Sequence, residues 1–411
     1  MPSGEGRSIV IVDDDDILAE LVERILSEEG YDVTVFTDSA EALEHVSEIK
    51  PDAVLIDLMM PRLDGYALIK ELGEIDGLDN TRFIVLSSKS YEFDKKQAFE
   101  HGAHGFIEKS SDRDSLSAQI KEVIDNKIQV GFWGVRGTLP RPGEDSIRYG
   151  GNTNCISITF PRGQMFVFDA GSGIKQLSNH LMADGKKSIN AKIFISHPHW
   201  DHINALPFFV PLYVPGNEFE IIGARHGSLS MREVASAQMD GVYFPITLKE
   251  FGARVYFRDI GEETLDIDGV SVSSMLLSHP GICLGYRIDY DGRSVCYITD
   301  NELFLSDSDQ FNPAYEKKLQ DFCRGADLLI TDSTYTDEEY KTKIGWGHSC
   351  LSKVAEYADR AEVKTLCLFH HDPDQNDTDI DLKLDLTKKV LEDRGSDVVC
   401  VAPAEGDVVE L

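Results

Sequence analysis

A chain of 411 residues with a formal net charge of −32 has room for two or three domains. It is too acidic to hold a phosphate-rich polymer without a local basic cluster, and no such cluster occurs, which disfavours tight nucleic-acid binding. No apolar run approaches the ~20 residues of a membrane span, no leader-like segment opens the sequence, and seven scattered cysteines without a C-x-x-C pair read as a reduced, cytoplasmic protein.

Residues 8–126 alternate between apolar strand-like runs and amphipathic helical stretches. SIVIVD (8–13) reads as a buried strand and ILAELVERILSEEG as a helix. DVTVFT and SAEALEHVSEI repeat the pair, then DAVLIDLM and GYALIKELGEI, then RFIVLSS and a polar helix, then GFIEK and SLSAQIKEVIDN. Five such units imply a parallel, doubly wound α/β sheet covered on both faces. In that architecture the carboxyl ends of the strands form the ligand crevice. Asp13 and Asp14 fall at the end of strand one, Asp57 at strand three, Ser87 at strand four and Lys109 at strand five. Carboxylates gathered so closely call for a cation, and a hard ion such as Mg²⁺ suits them. One of them can then act as a nucleophile toward a phosphoryl group. In isolation, Asp13–Asp16 would read as a solvated acidic helix start; the residues at the other strand ends argue otherwise.

VDDDD, LIDLMMPRLDG, the Ser ending strand four and the Lys ending strand five resemble the receiver domain of two-component response regulators, over residues 1–126. The resemblance implies a flavodoxin-like fold and a cognate sensor histidine kinase as partner. It makes Asp57 the phosphoacceptor, Asp13 and Asp14 metal-holding residues, Ser87 the switch hydroxyl and Lys109 the phosphate-binding lysine. Two positions depart from the family pattern. Ser110 stands where a proline is usual, and Phe106 stands at the aromatic switch position without a hydroxyl.

The second domain is expected over 127–411. KIQVGFWG starts a strand directly after the last helix, with no Gly/Ser/Pro-rich linker, so a nearly rigid joint is expected. Many short strands follow: CISITF, QMFVFDAG, AKIFIS, VSVSSMLLSH, LGYRIDY, SVCYITD, ADLLITDS and TLCLFHH. Several end in His or Asp, as expected for a site at the rim of stacked sheets. The densest cluster is HPHWDH (197–202), which projects His197, His199, Asp201 and His202 from one turn. Imidazole with carboxylate suits Zn²⁺, Fe or Mn²⁺. Four ligand-type side chains in six residues exceed what one tetrahedral site takes from a loop, so two metals are expected. Distant candidates at strand ends are His279, Asp300 and either His370 or His371. The segment INALPFFVPLYVPG either walls the cleft or packs as ordinary core.

H-x-H-x-D-H followed by His, Asp and His resembles the metallo-β-lactamase superfamily. That resemblance implies an αββα sandwich with His197, His199 and His279 on one metal, Asp201, His202 and His370 on the other, and Asp300 bridging. LCLF-His matches the family's strand-then-His ending and selects His370. Asp169 in FDAGSG matches an aspartate that supports the metal loop. The redox diiron branch has Glu at the second ligand position; His199 here favours hydrolysis. ITDSTY (330–335) and GWGHS (345–349) are similar to the phosphodiesterase branch that includes tRNase Z, in which Asp332 would orient His348 as proton donor. WGVRGTLP and RYGGNTNC look like the same branch, and GGNTN is either a source of backbone N–H groups near the site or a tight turn. With no basic Gly/Pro-rich arm, a small phosphodiester such as a cyclic (di)nucleotide is the expected substrate. The alternatives are a hydrolase of a lactone, thioester or other carbon ester, and a phosphorylation-dependent binding module. A homodimer is left open.

Overall fold

In a computed structural model of the chain, residues 6–78, 81–88, 92–109, 113–183 and 188–411 are described; Ser110 lies outside them. Two compact units emerge. One comprises the residues through Ile128 together with Phe160–Gln164, and the other comprises Gln129–Thr159 and Met165–Leu411.

The first unit runs β1 (Ser8–Val12), α1 (Asp16–Glu28), β2 (Asp32–Phe36), α2 (Ser39–Ile49), β3 (Ala53–Asp57), α3 (Gly65–Gly73), β4 (Arg82–Ser87), α4 (Glu92–Glu100), β5 (Gly105–Glu108) and α5 (Arg113–Asp125). Its strands pair in parallel in the order β2-β1-β3-β4-β5. The continuous apolar strands follow from burial on both faces. Val10, Val12, Val54, Ile56 and Val85 pack with Ala42, Val46, Leu68 and Leu72 on one face. Ile9, Ile11, Leu55, Ile84 and Leu86 pack with Ala19, Val22, Leu116 and Ile120 on the other. Strand order reverses between β1 and β3, which places the crevice between the ends of those strands.

The second unit continues with β6 (Gln129–Gly134), β7 (Cys155–Thr159), β8 (Met165–Phe168), α6 (Ile174–Ala183), β9 (Asn190–Ile195), α7 (Trp200–Ile203), β10 (Glu218–Ala224), α8 (Met231–Gln238) and β11 (Arg254–Ile260). Then come β12 (Thr264–Ile267), β13 (Val270–Leu276), β14 (Leu284–Tyr290), β15 (Arg293–Ile298), α9 (Pro313–Cys323), β16 (Leu328–Asp332), α10 (Asp337–Tyr340), α11 (Leu351–Arg360), β17 (Thr365–Phe369), α12 (Asp377–Asp393), β18 (Val399–Val401) and β19 (Val408–Glu410). Among the described residues these strands form two seven-stranded mixed sheets, ordered β11-β10-β9-β8-β7-β6-β19 and β12-β13-β14-β15-β16-β17-β18.

The sheets meet through aromatic side chains. Phe168 lies 5.5 Å from Tyr286 and 5.6 Å from Tyr297, and Phe132 lies 6.3 Å from Phe369, ring centre to ring centre. Helices cover the outer faces. Leu177, Leu181, Met231 and Val234 pack on the first sheet, and Leu319, Val354 and Ala358 on the second. The result is the αββα sandwich. Ile203, Leu206, Phe209 and Leu212 of the 203–216 segment are core residues, so that stretch is chiefly packing; Phe208 is half exposed and touches Phe244.

β8 and β9 run parallel, as do β15, β16 and β17. Their carboxyl ends therefore share one rim. Asp169, Asp300 and His370 each follow a strand there with φ of +60°, +43° and +60°. A non-glycine residue in that conformation costs roughly 1–2 kcal/mol, and such strain clusters at functional sites.

Candidate metal centre

The first unit brings five of the sequence-selected residues to its crevice. Asp13 and Asp57 are buried, Asp14 is exposed, and one carboxylate oxygen from each lies within 4.8 Å of the other two. Lys109 Nζ lies 2.8 Å from Asp13 Oδ2 and also bonds Asp57 Oδ1. The Met59 amide donates to Asp57 Oδ2 at 2.6 Å, and the Asp15 amide donates to Asp13 Oδ1 at 3.0 Å. Asp15 itself caps α1, accepting from Ile17 and Leu18, so it is spent locally. Burial raises the Asp13 pKa and Lys109 offsets that in part. Burial lowers the Lys109 pKa, but its bonds to Asp13 and Asp57 outweigh that and raise it. One ammonium against three carboxylates leaves room for a divalent cation. Ser87 is buried at the end of β4, and Phe106 is half-buried against the adjoining core.

In the second unit the rim is built around HPHWDH. β9 ends at Ile195, His199 is the N-cap of α7, and Asp201 and His202 point inward from its first turn. Asp169 anchors this turn. It accepts from the Ser196 amide at 2.7 Å, from His202 Nδ1 at 2.7 Å and from the Tyr297 hydroxyl at 2.8 Å. His197 Nε2 lies 2.8 Å from His199 Nδ1, which lies 3.2 Å from His279 Nε2. Asp201 Oδ2 lies 3.1 Å from His202 Nε2 and 3.2 Å from His370 Nε2. Asp300 divides its carboxylate between the two groups. Oδ1 is 3.1 Å from both His202 Nε2 and His370 Nε2, and Oδ2 is 3.6 Å from His197 Nε2 and 3.8 Å from His279 Nε2.

The protons on these rings leave lone pairs that fit metal ions. His279 Nδ1 lies 3.0 Å from the Gly347 carbonyl oxygen. A carbonyl only accepts, so Nδ1 carries the proton and Nε2 of the neutral ring offers a lone pair. The Thr334 hydroxyl donates to Asp332 Oδ1 at 2.7 Å and so accepts from His370 Nδ1 at 3.0 Å. The His370 Nε2 lone pair then faces two carboxylate oxygens. His202 repeats the pattern through Asp169. Burial lowers the pKa of His197, His199 and His279, which favours the neutral, ligating ring. Lone pairs converging on each other and on carboxylates repel unless a cation lies between them, so this donor set fits divalent metal.

Asp332, at the end of β16, is fully buried and accepts from His348 Nδ1 at 2.6 Å. Burial pulls the His348 pKa down, but Asp332 more than compensates and lifts it to about 9. The His348 ring stacks on His370 at 4.8 Å and lies 5.4 Å from His279. His371 is turned away. Its ring is fully buried, 6.4 Å from Tyr149, and neither ring nitrogen has a hydrogen-bond partner.

Sequence reasoning missed several supports. The Thr138 amide donates to Asp201 Oδ2 at 2.8 Å, and Asn154 Nδ2 lies 3.0 Å from His202 Nε2. Both lie in stretches whose motifs were visible, VRGTLP and GGNTN. The GGNTN segment thus reaches the site through the Asn154 side chain. Gly137 lets the chain pass His370, where a Cβ would come within 2.1 Å of the ring.

Comparison with known proteins agrees with this architecture. The response regulator receiver domain family matches residues 9–121, and the beta-lactamase superfamily domain matches residues 164–371. The chain therefore belongs to the beta-lactamase superfamily and carries a response-regulator receiver domain ahead of that fold. Transcriptional regulatory protein PrrA of Mycobacterium leprae is 36% identical over 118 residues, which is 29% of this chain and 49% of that protein. The chain spans about half the length of the curated relatives it matches. Among solved structures, the metallo-beta-lactamase fold protein YhfI from Bacillus subtilis aligns over 70% of this chain and 100% of its own, with 16% identity and a TM-score of 0.49. A diphosphatase from the PhnP family aligns over 69% and 98%, with 18% identity and a TM-score of 0.48. Among the described residues, no helix is long and apolar enough to cross a membrane.

Proposed function

We propose that the chain is a two-component response regulator whose output is a dinuclear metal-dependent phosphodiesterase acting on a small phosphodiester such as a cyclic (di)nucleotide. The observation that carries this reading is the Asp332–His348 pair, 2.6 Å apart, stacked on His370. In this reading His197, His199 and His279 would hold one ion, Asp201, His202 and His370 would hold a second, and Asp300 would serve both. Zn²⁺, Mn²⁺ and Fe all suit the donor set. Such ions supply Lewis-acid activation of water and neutralise charge on the phosphoryl oxygens.

The chain's own groups do the rest. The Thr138 amide fixes Asp201 so that its free lone pairs accept the proton of an attacking water. As the bond from phosphorus to the leaving oxygen breaks, that oxygen takes a proton from His348 Nε2, and Asp332 steadies the ring through Nδ1. In the receiver, an Asp57 oxygen attacks the phosphorus of the kinase's phosphohistidine and the imidazole leaves. Mg²⁺ held by Asp13, Asp14 and Asp57 would offset the charge, and Lys109 and Ser87 bind the phosphoryl oxygens. Phosphorylation of Asp57 then changes the hydrolase rate.

The test is hydrolysis of bis(p-nitrophenyl) phosphate by the metal-loaded chain, with and without beryllofluoride plus Mg²⁺. Turnover that changes with the mimic supports both halves. Turnover indifferent to the mimic retains the enzyme and removes the regulation. No turnover of this ester, alongside hydrolysis of p-nitrophenyl acetate, replaces the phosphodiesterase with a carbon-ester hydrolase.

A further inference from the structure

Glu302 stands two residues beyond Asp300 and is almost fully buried, yet none of the metal-site groups uses its carboxylate. Its oxygens accept three hydrogen bonds. The Tyr340 hydroxyl donates at 2.7 Å and the Gly345 amide at 2.8 Å, both to Oε1; the Gly347 amide donates to Oε2 at 2.8 Å. The Glu302 amide donates to the Ser278 carbonyl at 2.8 Å. One residue thus ties together the segments that carry His279, Asp300 and His348.

The clamped loop needs holding. Gly345 and Gly347 have φ of +84° and +89°, and a Cβ on Gly347 would lie 2.3 Å from His279 Nδ1. The Gly347 carbonyl accepts the His279 Nδ1 proton, and the next residue is His348. On the far side, Ser349 Oγ donates to the Asn301 carbonyl and accepts from the Leu303 amide at 3.0 Å. The end of β15 and its following residues are a template on which residues 345–349 are laid.

We infer that Glu302 is a positioning residue that fixes the 345–348 loop, and through it sets the proton-donating His348 over the leaving oxygen. This rests on the phosphodiesterase reading for its chemistry, but its structural half stands alone. Gln is the discriminating substitution. Its NH₂ must face one of two amide N–H donors, so one of Gly345 and Gly347 loses its acceptor whichever way the amide turns.

The experiment uses the full chain with Glu302→Gln, and Glu302→Asp as a milder shortening that keeps the charge. Hydrogen exchange is followed on the metal-free protein over residues 343–350. Turnover of the metal-loaded protein is followed across methyl aryl phosphodiesters from p-nitrophenolate to phenolate leaving groups. The expected result is faster exchange confined to 343–350. Turnover of the phenolate ester should fall by about 10²-fold, the scale of general-acid catalysis, and that of the p-nitrophenolate ester by less than about threefold. Unchanged exchange overturns the positioning role. Faster exchange with an equal loss for every leaving group overturns the link to His348. If the wild-type chain turns over no phosphodiester, the phosphodiesterase reading fails, and the exchange measurement still decides whether Glu302 holds the loop.

Discussion

Asp169 and His202 stand 33 residues apart in the chain and meet at 2.7 Å, both fully buried. That bond decides which nitrogen of His202 is free for metal. With Nδ1 donating to Asp169, Nε2 turns its lone pair toward Asp201 and Asp300. Asp169→Asn leaves an amide that can present its NH₂ to the ring and favour the wrong tautomer. Losses from such outer supports run about 10–100-fold in metal affinity. Chelator competition on the purified chain should show a loss of that size at the second ion, and melting in excess chelator should separate it from any change in the fold.

His348 and Asp332 lie outside the two groups of nitrogen and oxygen atoms proposed to hold the ions. Substituting His348 should therefore leave metal content unchanged, whereas Asp332→Asn also disturbs the Thr334 hydroxyl that orients His370 and should weaken metal binding somewhat. His348→Ala removes the proposed proton donor, and turnover of a phosphodiester with a poor leaving group should fall by about 10²–10⁴-fold. Asp332→Asn keeps a ring but loses the partner that lifts its pKa to about 9, so a smaller loss is expected. Metal analysis beside initial rates checks both. Loss of metal in His348→Ala would assign the histidine to the ion rather than to the leaving group.

Among the described residues, Lys109 is the one cation bonded to both Asp13 and Asp57, and all three are nearly buried. Lys109→Met leaves two buried carboxylates facing each other. Breaking a buried pair this way costs about 3–5 kcal/mol, and partial solvent access puts this case at the lower end. The cost should shrink as Mg²⁺ is added, because the ion replaces the lost charge. Urea denaturation of the variant with and without Mg²⁺ measures this, and Asp57→Asn in the same background should relieve the strain without Mg²⁺.

The receiver strands were legible because strands buried on both faces must be apolar throughout, and the residues that matter sit at their ends. HPHWDH was legible because its four donors fall within six residues. Other parts carried no local signal. β19 pairs antiparallel with β6, Val409 opposite Val130, and nothing in VVE announces a partner at the opposite end of the unit. β11 alternates half-buried and exposed residues along the edge of its sheet, so its polar positions hide it. The Thr138 donor is a backbone N–H, which every residue type but proline offers. Glu302 looks like any other acid until the fold brings Gly345, 43 residues later, against it.

Lys383 tests the fold behind the site through pH. It is fully buried on α12, donating to Gln375 Oε1 at 2.8 Å and to the Thr334 carbonyl at 3.2 Å. Burial lowers its pKa from 10.5 to about 7, although Glu339 and Asp332 pull the other way. The unfolded chain keeps the proton up to its ordinary pKa, whereas the folded chain releases it near 7. Between those values the unfolded state binds more protons, so stability rises with pH. The contribution is complete above about 10.5 and lost as pH falls to about 7. The limiting slope for one such group is about 1.4 kcal/mol per pH unit. Lys383→Met keeps the apolar stem and removes the titration. Chemical denaturation of both proteins from pH 7 to 10 should show the wild type gaining on the variant at close to that slope, and parallel curves would mean that Lys383 stays charged inside the fold.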